Sequence, residues 1–200
     1  MTGKFISFEG GDGAGKTTQI GKLAERLEAA GTEVVVTREP GGTELGLAIR
    51  QALLHGEDLS PRTEALLYAA DRAHHIATVV GPALDRGATV ITDRYMDSSI
   101  AYQGAARGLG MDTIGDLNRW AVDGLMPDLT FLLDLDPGIG ATRIGAAKDR
   151  LESAGDAFHA QVRRTFLDLA GREPDRFVII DASGSPEQIS EEIGMAYGRL

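Results

Sequence analysis

Gly10-Gly11-Asp12-Gly13-Ala14-Gly15-Lys16-Thr17 satisfies G-x-x-x-x-G-K-[ST], and it stands between an apolar run ending at Glu9 and a helical periodicity beginning at Ile20. Glycines at these positions let consecutive backbone N–H groups turn inward around phosphate oxygens, and the following helix N-terminus adds its partial positive charge. Lys16 then reaches the β- and γ-phosphates of a nucleotide. Thr17 offers its hydroxyl to a Mg²⁺ ion bridging those phosphates.

Two further clusters carry charge at the ends of apolar runs. Thr37-Arg38-Glu39-Pro40-Gly41-Gly42-Thr43 lies where ligands collect at the carboxyl edge of a parallel sheet. Arg38 there reads either as a phosphate clamp or as a solvated turn arginine. Thr92-Asp93-Arg94-Tyr95 closes another run. Asp93 reads either as a Walker-B-like carboxylate, holding Mg²⁺ through water, or as a helix cap with an ion-paired neighbour.

The elements that must position these residues follow from periodicity. Strands are expected at Lys4–Glu9, Glu33–Thr37, Ala88–Asp93, Leu129–Asp134 and Arg176–Asp181, with helical patterns between them, so the class is α/β with a mostly parallel sheet. Ile20, Leu23, Ala24 and Leu27 share one helix face that should stop near Gly31. Leu45, Ile49 and Leu53 signal a second helix, and Ser60 with Pro61 opens a third that Gly81-Pro82 kinks or restarts. Ser185-Pro186-Glu187-Gln188 is a capping box. Gly138, Gly140 and Gly145 interrupt the helical pattern after Pro137, which predicts a segment able to open and close.

Composition excludes several classes. The chain has 200 residues, a single-domain length, and 20 basic against 30 acidic residues, a net charge of −10 that disfavours a nucleic-acid scaffold. It has no cysteine, and its four histidines show no metal-binding pairing, so a structural zinc is not expected. No signal-type leader and no apolar run of membrane-spanning length occurs, and a cytoplasmic protein with no membrane partner is expected.

Taken together, these pieces resemble the thymidylate kinase family, P-loop enzymes that phosphorylate dTMP to dTDP with ATP and Mg²⁺. The similarity runs from Phe8 to Ser183 and is strongest in Phe8–Thr18, Arg38–Thr43, Asp93-Arg94-Tyr95 and Ala101-Tyr102-Gln103-Gly104. It implies the three-layer P-loop kinase fold with sheet order 2-3-1-4-5 and one domain over residues 1–200. Within that domain it implies a monophosphate-binding helical region over 38–75 and a lid over 138–156, and a homodimer.

The same resemblance implies roles for single residues. ATP would be held by Gly10, Gly11, Asp12, Gly13, Ala14, Gly15, Lys16, Thr17 and Thr18, with Arg143 beside the adenine and Ser183 at the purine edge; the metal would be held by Thr17 and Asp93. Arg38 and Arg94 would take the dTMP phosphate, Asp12 the sugar 3′-hydroxyl, and Ser99 and Gln103 the base pocket. Tyr68, alone a core aromatic, would stack on thymine, Arg72 would hydrogen-bond its carbonyl, and Tyr102 would crowd C2′ against ribonucleotides. Asp12-Gly13-Ala14 holds no basic residue, so the catalytic cation beside Lys16 and Arg94 would come from the lid, which offers Arg143, Lys148 and Arg150. Other acceptors, UMP or AMP, and a P-loop regulatory ATPase remain open on the residues alone.

Overall fold

The computed structural model describes residues 3–143 and 150–200. The five apolar runs become strands β1 (Phe5–Glu9), β2 (Val34–Arg38), β3 (Thr89–Asp93), β4 (Leu129–Asp134) and β5 (Phe177–Asp181), within one residue of the expected bounds. They form one parallel sheet in the order β2-β3-β1-β4-β5. Because β3 separates β2 from β1, connections leave the central strand toward both sides, which opens a crevice at its carboxyl end. The register pairs Asp93 with both Arg38 and Phe8, so the ends of β2, β3 and β1 are level there.

Helices α1 (Lys16–Ala29), α2 (Glu44–His55), α3 (Pro61–His75), α4 (Gly81–Asp85), α5 (Met96–Ser99), α6 (Met111–Ala121), α7 (Pro137–Arg143), α8 (Asp156–Arg172) and α9 (Pro186–Tyr197) cover the sheet. Strand alternation divides the core. Ile6, Phe8 and Phe131 pack with Ile20, Leu23, Leu27, Ile189 and Ile193 of α1 and α9. Phe5, Val90 and Leu132 pack on the other face with Leu53, Leu84, Tyr95 and Phe166. The expected ends are present: Gly31 leaves α1 at φ 85°, Ser60 accepts from the Thr63 N–H, and Ser185 and Gln188 cap each other reciprocally.

Two segments differ from the expectation. Gly81-Pro82 does restart its helix, but through a wider π-helical segment, Ile76–Val80, which accommodates the donor that proline lacks. A second π-helical segment, Ile100–Ala106, carries Tyr102 and Gln103. No helical period announces it, because five consecutive residues from Ile100 to Gly104 are buried and no polar face remains to be read.

The interrupting glycines in α7 gain a second reason. A Cβ on Gly140 would lie 2.5 Å from the Asp12 carbonyl, and one on Gly13, at φ 76°, would strike the Gly140 carbonyl. The backbone of the phosphate loop and the backbone of α7 touch, so Gly13 and Gly140 serve close approach.

Beneath the charged loops, Arg176 donates to both Asp97 oxygens at 2.7 and 2.9 Å and to Thr130 at 2.9 Å, joining the start of β5 to α5. Asp97 is 1% exposed, so its removal strands a guanidinium. Asp97→Ala should lower unfolding free energy by about 3 kcal/mol, the low end for a broken buried pair because Glu173 still holds Arg176. Urea unfolding of both proteins at one pH measures this, and an unshifted midpoint would deny the pair its structural role.

Candidate active site

Each cluster singled out by chemistry reaches the carboxyl edge of the sheet, and a cavity of about 770 Å³ opens there. Asp12 through Thr18, Arg38, Tyr68, Arg72, Asp93, Arg94, Ser99, Tyr102, Gln103 and Arg143 all line it. Gly10, Gly11 and Ser183 do not. Gly10 and Gly11 act from behind, their carbonyls accepting from Lys16 Nζ at 3.2 and 3.0 Å. Ser183 is exposed, its N–H held by Asp181 Oδ1 at 2.9 Å.

Arg94 is the tightest joint. It is one of two non-glycine residues with positive φ among those described, at 70°. Its N–H donates to the Phe8 carbonyl at 2.9 Å, and its guanidinium reaches Asp12 at 2.5 Å, the Gly10 carbonyl at 3.1 Å and Ser98 Oγ at 3.0 Å. It also lies over the Tyr102 ring, 5.1 Å from the centroid. Burial pushes the Asp12 carboxyl up, but Arg94 and Lys16 outweigh it and hold the group below its ordinary value. Burial, reinforced by Arg94, lowers the Lys16 ammonium.

Glu9, at the end of β1, underpins this turn and was not foreseen. It accepts from the Tyr95 N–H at 2.8 Å, the Ser98 N–H at 3.3 Å and Ser98 Oγ at 2.6 Å, capping α5 from another element. Burial and the neighbouring Asp97 raise its carboxyl to about 7, against the hydrogen bonds that favour its charge.

The cavity is also lined by Arg50, Leu54, Tyr68, Arg72 and Gln103. Arg72 is 1% exposed and largely committed: Nε donates to Glu39 at 2.6 Å, Nη1 to Ser99 and Asn118, and Nη2 to the Tyr95 carbonyl at 3.2 Å. A guanidinium has five N–H donors, so one Nη2–H is left for a ligand. Glu39 also accepts from His75 Nδ1 at 2.9 Å. Arg38, in contrast, is exposed and makes no side-chain bond to a described residue.

The three lid cations separate. Arg143 Nη1 lies 3.4 Å from both the Gly13 and Ala182 carbonyls, over the phosphate loop. Lys148 lies outside the described residues. Arg150 is engaged elsewhere, with Nε donating to the Leu53 carbonyl at 2.9 Å and Nη2 2.7 Å from Glu64 Oε2 as an ion pair. Buried Glu64 offers it a stronger partner than open solvent.

Thr17 and Asp93 suit a hydrated divalent cation. Both line the cavity, and Asp93 Oδ1 is buried with no hydrogen-bond partner among the described residues, an acceptor that metal-bound water would satisfy. Residues that sequence reasoning missed here include Arg50, Leu54 and Ser98, which are brought in by helix packing rather than by a motif.

A family model described as thymidylate kinase matches residues 8–193. A thymidylate kinase of Bifidobacterium longum is 57% identical, over 94% of this chain and 94% of its own length. One of Clavibacter michiganensis is 58% identical, over 96% and 93%. One of a Synechococcus species is 52% identical, over 94% and 92%.

The raised Glu9 carboxyl gives a pH signature. Between its ordinary value of 4.5 and about 7 the folded chain retains a proton that the unfolded chain has lost, so stability falls as pH rises through that window and flattens above it. Glu9→Gln should remove this slope. Urea midpoints at pH 5 and 7.5 compare the two proteins, and equal slopes would show that Glu9 titrates in its ordinary range.

Proposed function

This chain belongs to the thymidylate kinase family, and we propose that its cavity aligns ATP over the phosphate loop with dTMP at the Arg38, Tyr68 and Arg94 end. The reaction is the ATP-dependent phosphorylation of dTMP to dTDP. One observation carries the placement: a single cavity joins the phosphate loop to a second group of cations beside a tyrosine ring.

A dTMP phosphate oxygen attacks the γ-phosphorus, the new P–O bond forms as the bond to the β-bridging oxygen breaks, and ADP leaves. No side-chain nucleophile is needed, so the protein's part is alignment and charge stabilisation. Lys16 leaves the Gly10 and Gly11 carbonyls for the β- and γ-phosphates. Arg94, already fixed, and Arg38, whose side chain has no partner among the described residues, hold the acceptor phosphate in the bidentate way guanidinium allows. Thr17 and Asp93 would hold Mg²⁺, which when bound neutralises charge on the β- and γ-phosphates.

Tyr68 stacks on thymine, the remaining Arg72 N–H serves its carbonyl, and Ser99 and Gln103 complete the base pocket. Tyr102, whose hydroxyl lies 3.4 Å from Asp12 Oδ2, occupies the space beside C2′, and Asp12 takes the 3′-hydroxyl. Arg143 flanks the adenine, Ser183 meets the purine edge, and closure of the 138–156 lid excludes water. Arg143, Lys148 or Arg150, the last on leaving Glu64, meets the transferred phosphoryl.

The working form is a cytoplasmic homodimer of one 200-residue domain with its monophosphate-binding region over 38–75. Exposed Leu45, Leu47, Leu66 and Trp120 on the neighbouring helices α2, α3 and α6 support the dimer. Among the described residues no helix is long and apolar enough to cross a membrane.

ADP release measured with ATP, Mg²⁺ and each nucleoside monophosphate in turn should peak with dTMP. Turnover of UMP or AMP instead, or ATP hydrolysis without an acceptor, would point to one of the rival readings. Asp93→Asn should lower kcat at least tenfold and raise the Mg²⁺ needed for half-maximal rate. An unchanged metal requirement would return Asp93 to a capping role.

A further inference from the structure

Glu64, in the first turn of α3, is fully buried and takes no part in the steps above. Its Oε1 accepts from Gln103 Nε2 at 2.7 Å, Arg107 donates to both its oxygens at 3.4 Å, and Arg150 Nη2 stands 2.7 Å from Oε2. Glu64 does not line the cavity; Gln103 does. Resting on the substrate reading above, we propose that Glu64 is a positioning residue that sets which nucleobase is accepted, by fixing which end of the Gln103 carboxamide faces the base.

The two ends of a glutamine amide have nearly the same shape and opposite hydrogen-bonding sense, so only the partners decide its orientation. Between two guanidinium groups Glu64 is a carboxylate and accepts only, which forces the Gln103 NH₂ toward it. The carbonyl Oε1 is then the free end, and no described residue donates to it. Gln103 is 1% exposed, so water offers little competition. A fixed acceptor suits a ring that carries N–H at N3, as thymine and uracil do. Cytosine presents a lone pair at N3, and two acceptors facing each other in a dry pocket leave both unpaired.

Glu64→Gln can donate as well as accept and so frees the Gln103 amide to turn. The test is kcat/KM for dTMP, dUMP and dCMP in wild type, E64Q, Q103L and the double variant. E64Q should lower the dTMP:dCMP ratio roughly tenfold or more, chiefly through KM for dTMP, while the dTMP:dUMP ratio stays within about twofold because both bases carry N3–H. Q103L should lower the first ratio comparably, and E64Q should add nothing to it if it acts through Gln103. A wild-type dTMP:dCMP ratio in E64Q, a parallel loss of both ratios, or independent effects in the double variant would each overturn the proposal. Should E64Q fail to fold, Q103L still decides against it if the wild-type ratio persists there. A wild type that turns over neither dTMP nor dUMP would overturn the substrate reading itself.

Discussion

The cavity depends on holding one guanidinium at a fixed point between the phosphate loop and the end of β3. Arg94 does so from a left-handed backbone that costs an L-residue about 1–2 kcal/mol, offset by contacts on every side. Its N–H bonds to β1, its carbonyl accepts from Thr92 at 2.9 Å, and its guanidinium spans Gly10, Asp12 and Ser98. A phosphate held by this residue is therefore placed relative to the phosphate loop without any intervening flexible element, which is the geometry an in-line transfer requires.

A net charge of −10 repels nucleotides at a distance, yet the cavity lining reverses that locally with six basic side chains against four acidic ones. The cations differ in readiness. Arg94 and Arg72 are paired within the protein before any ligand arrives, whereas Arg38 is open to solvent. Paired cations cost little to organise but must share their donors, and a free one supplies attraction while losing side-chain entropy on binding. A site using both kinds has order and spare charge together.

What could be read from the sequence was what local chemistry determines. The phosphate loop is a contiguous motif, the strands are apolar runs, and the Ser60 and Ser185 caps act within four residues, so each was visible before any tertiary structure. Contacts across the chain were not. Glu9 caps a helix that starts 87 residues later, Gly140 meets the phosphate loop backbone, and Arg150 pairs with Glu64. None of these leaves a spacing to find, because the partner is chosen by the sheet order and by burial.

Among the described residues the fully or nearly fully buried glutamates are Glu9, Glu39 and Glu64; Glu9 and Glu64 stand one step behind the cavity's polar side chains, and Glu39 lines the cavity itself. Glu9 fixes the turn after Arg94, Glu39 holds Arg72 and His75, and Glu64 holds Gln103 together with Arg107 and Arg150. Burying a carboxylate is costly, and an apolar side chain would fill the same space more cheaply. An ionised carboxylate, as Glu9 becomes above about pH 7, does what an apolar group cannot: it accepts without donating, so every group against it must present hydrogen. Guanidinium and carboxamide groups, which rotate freely in water, thus meet a ligand in one orientation. In this chain the buried acids fix the orientation of side chains that line the cavity.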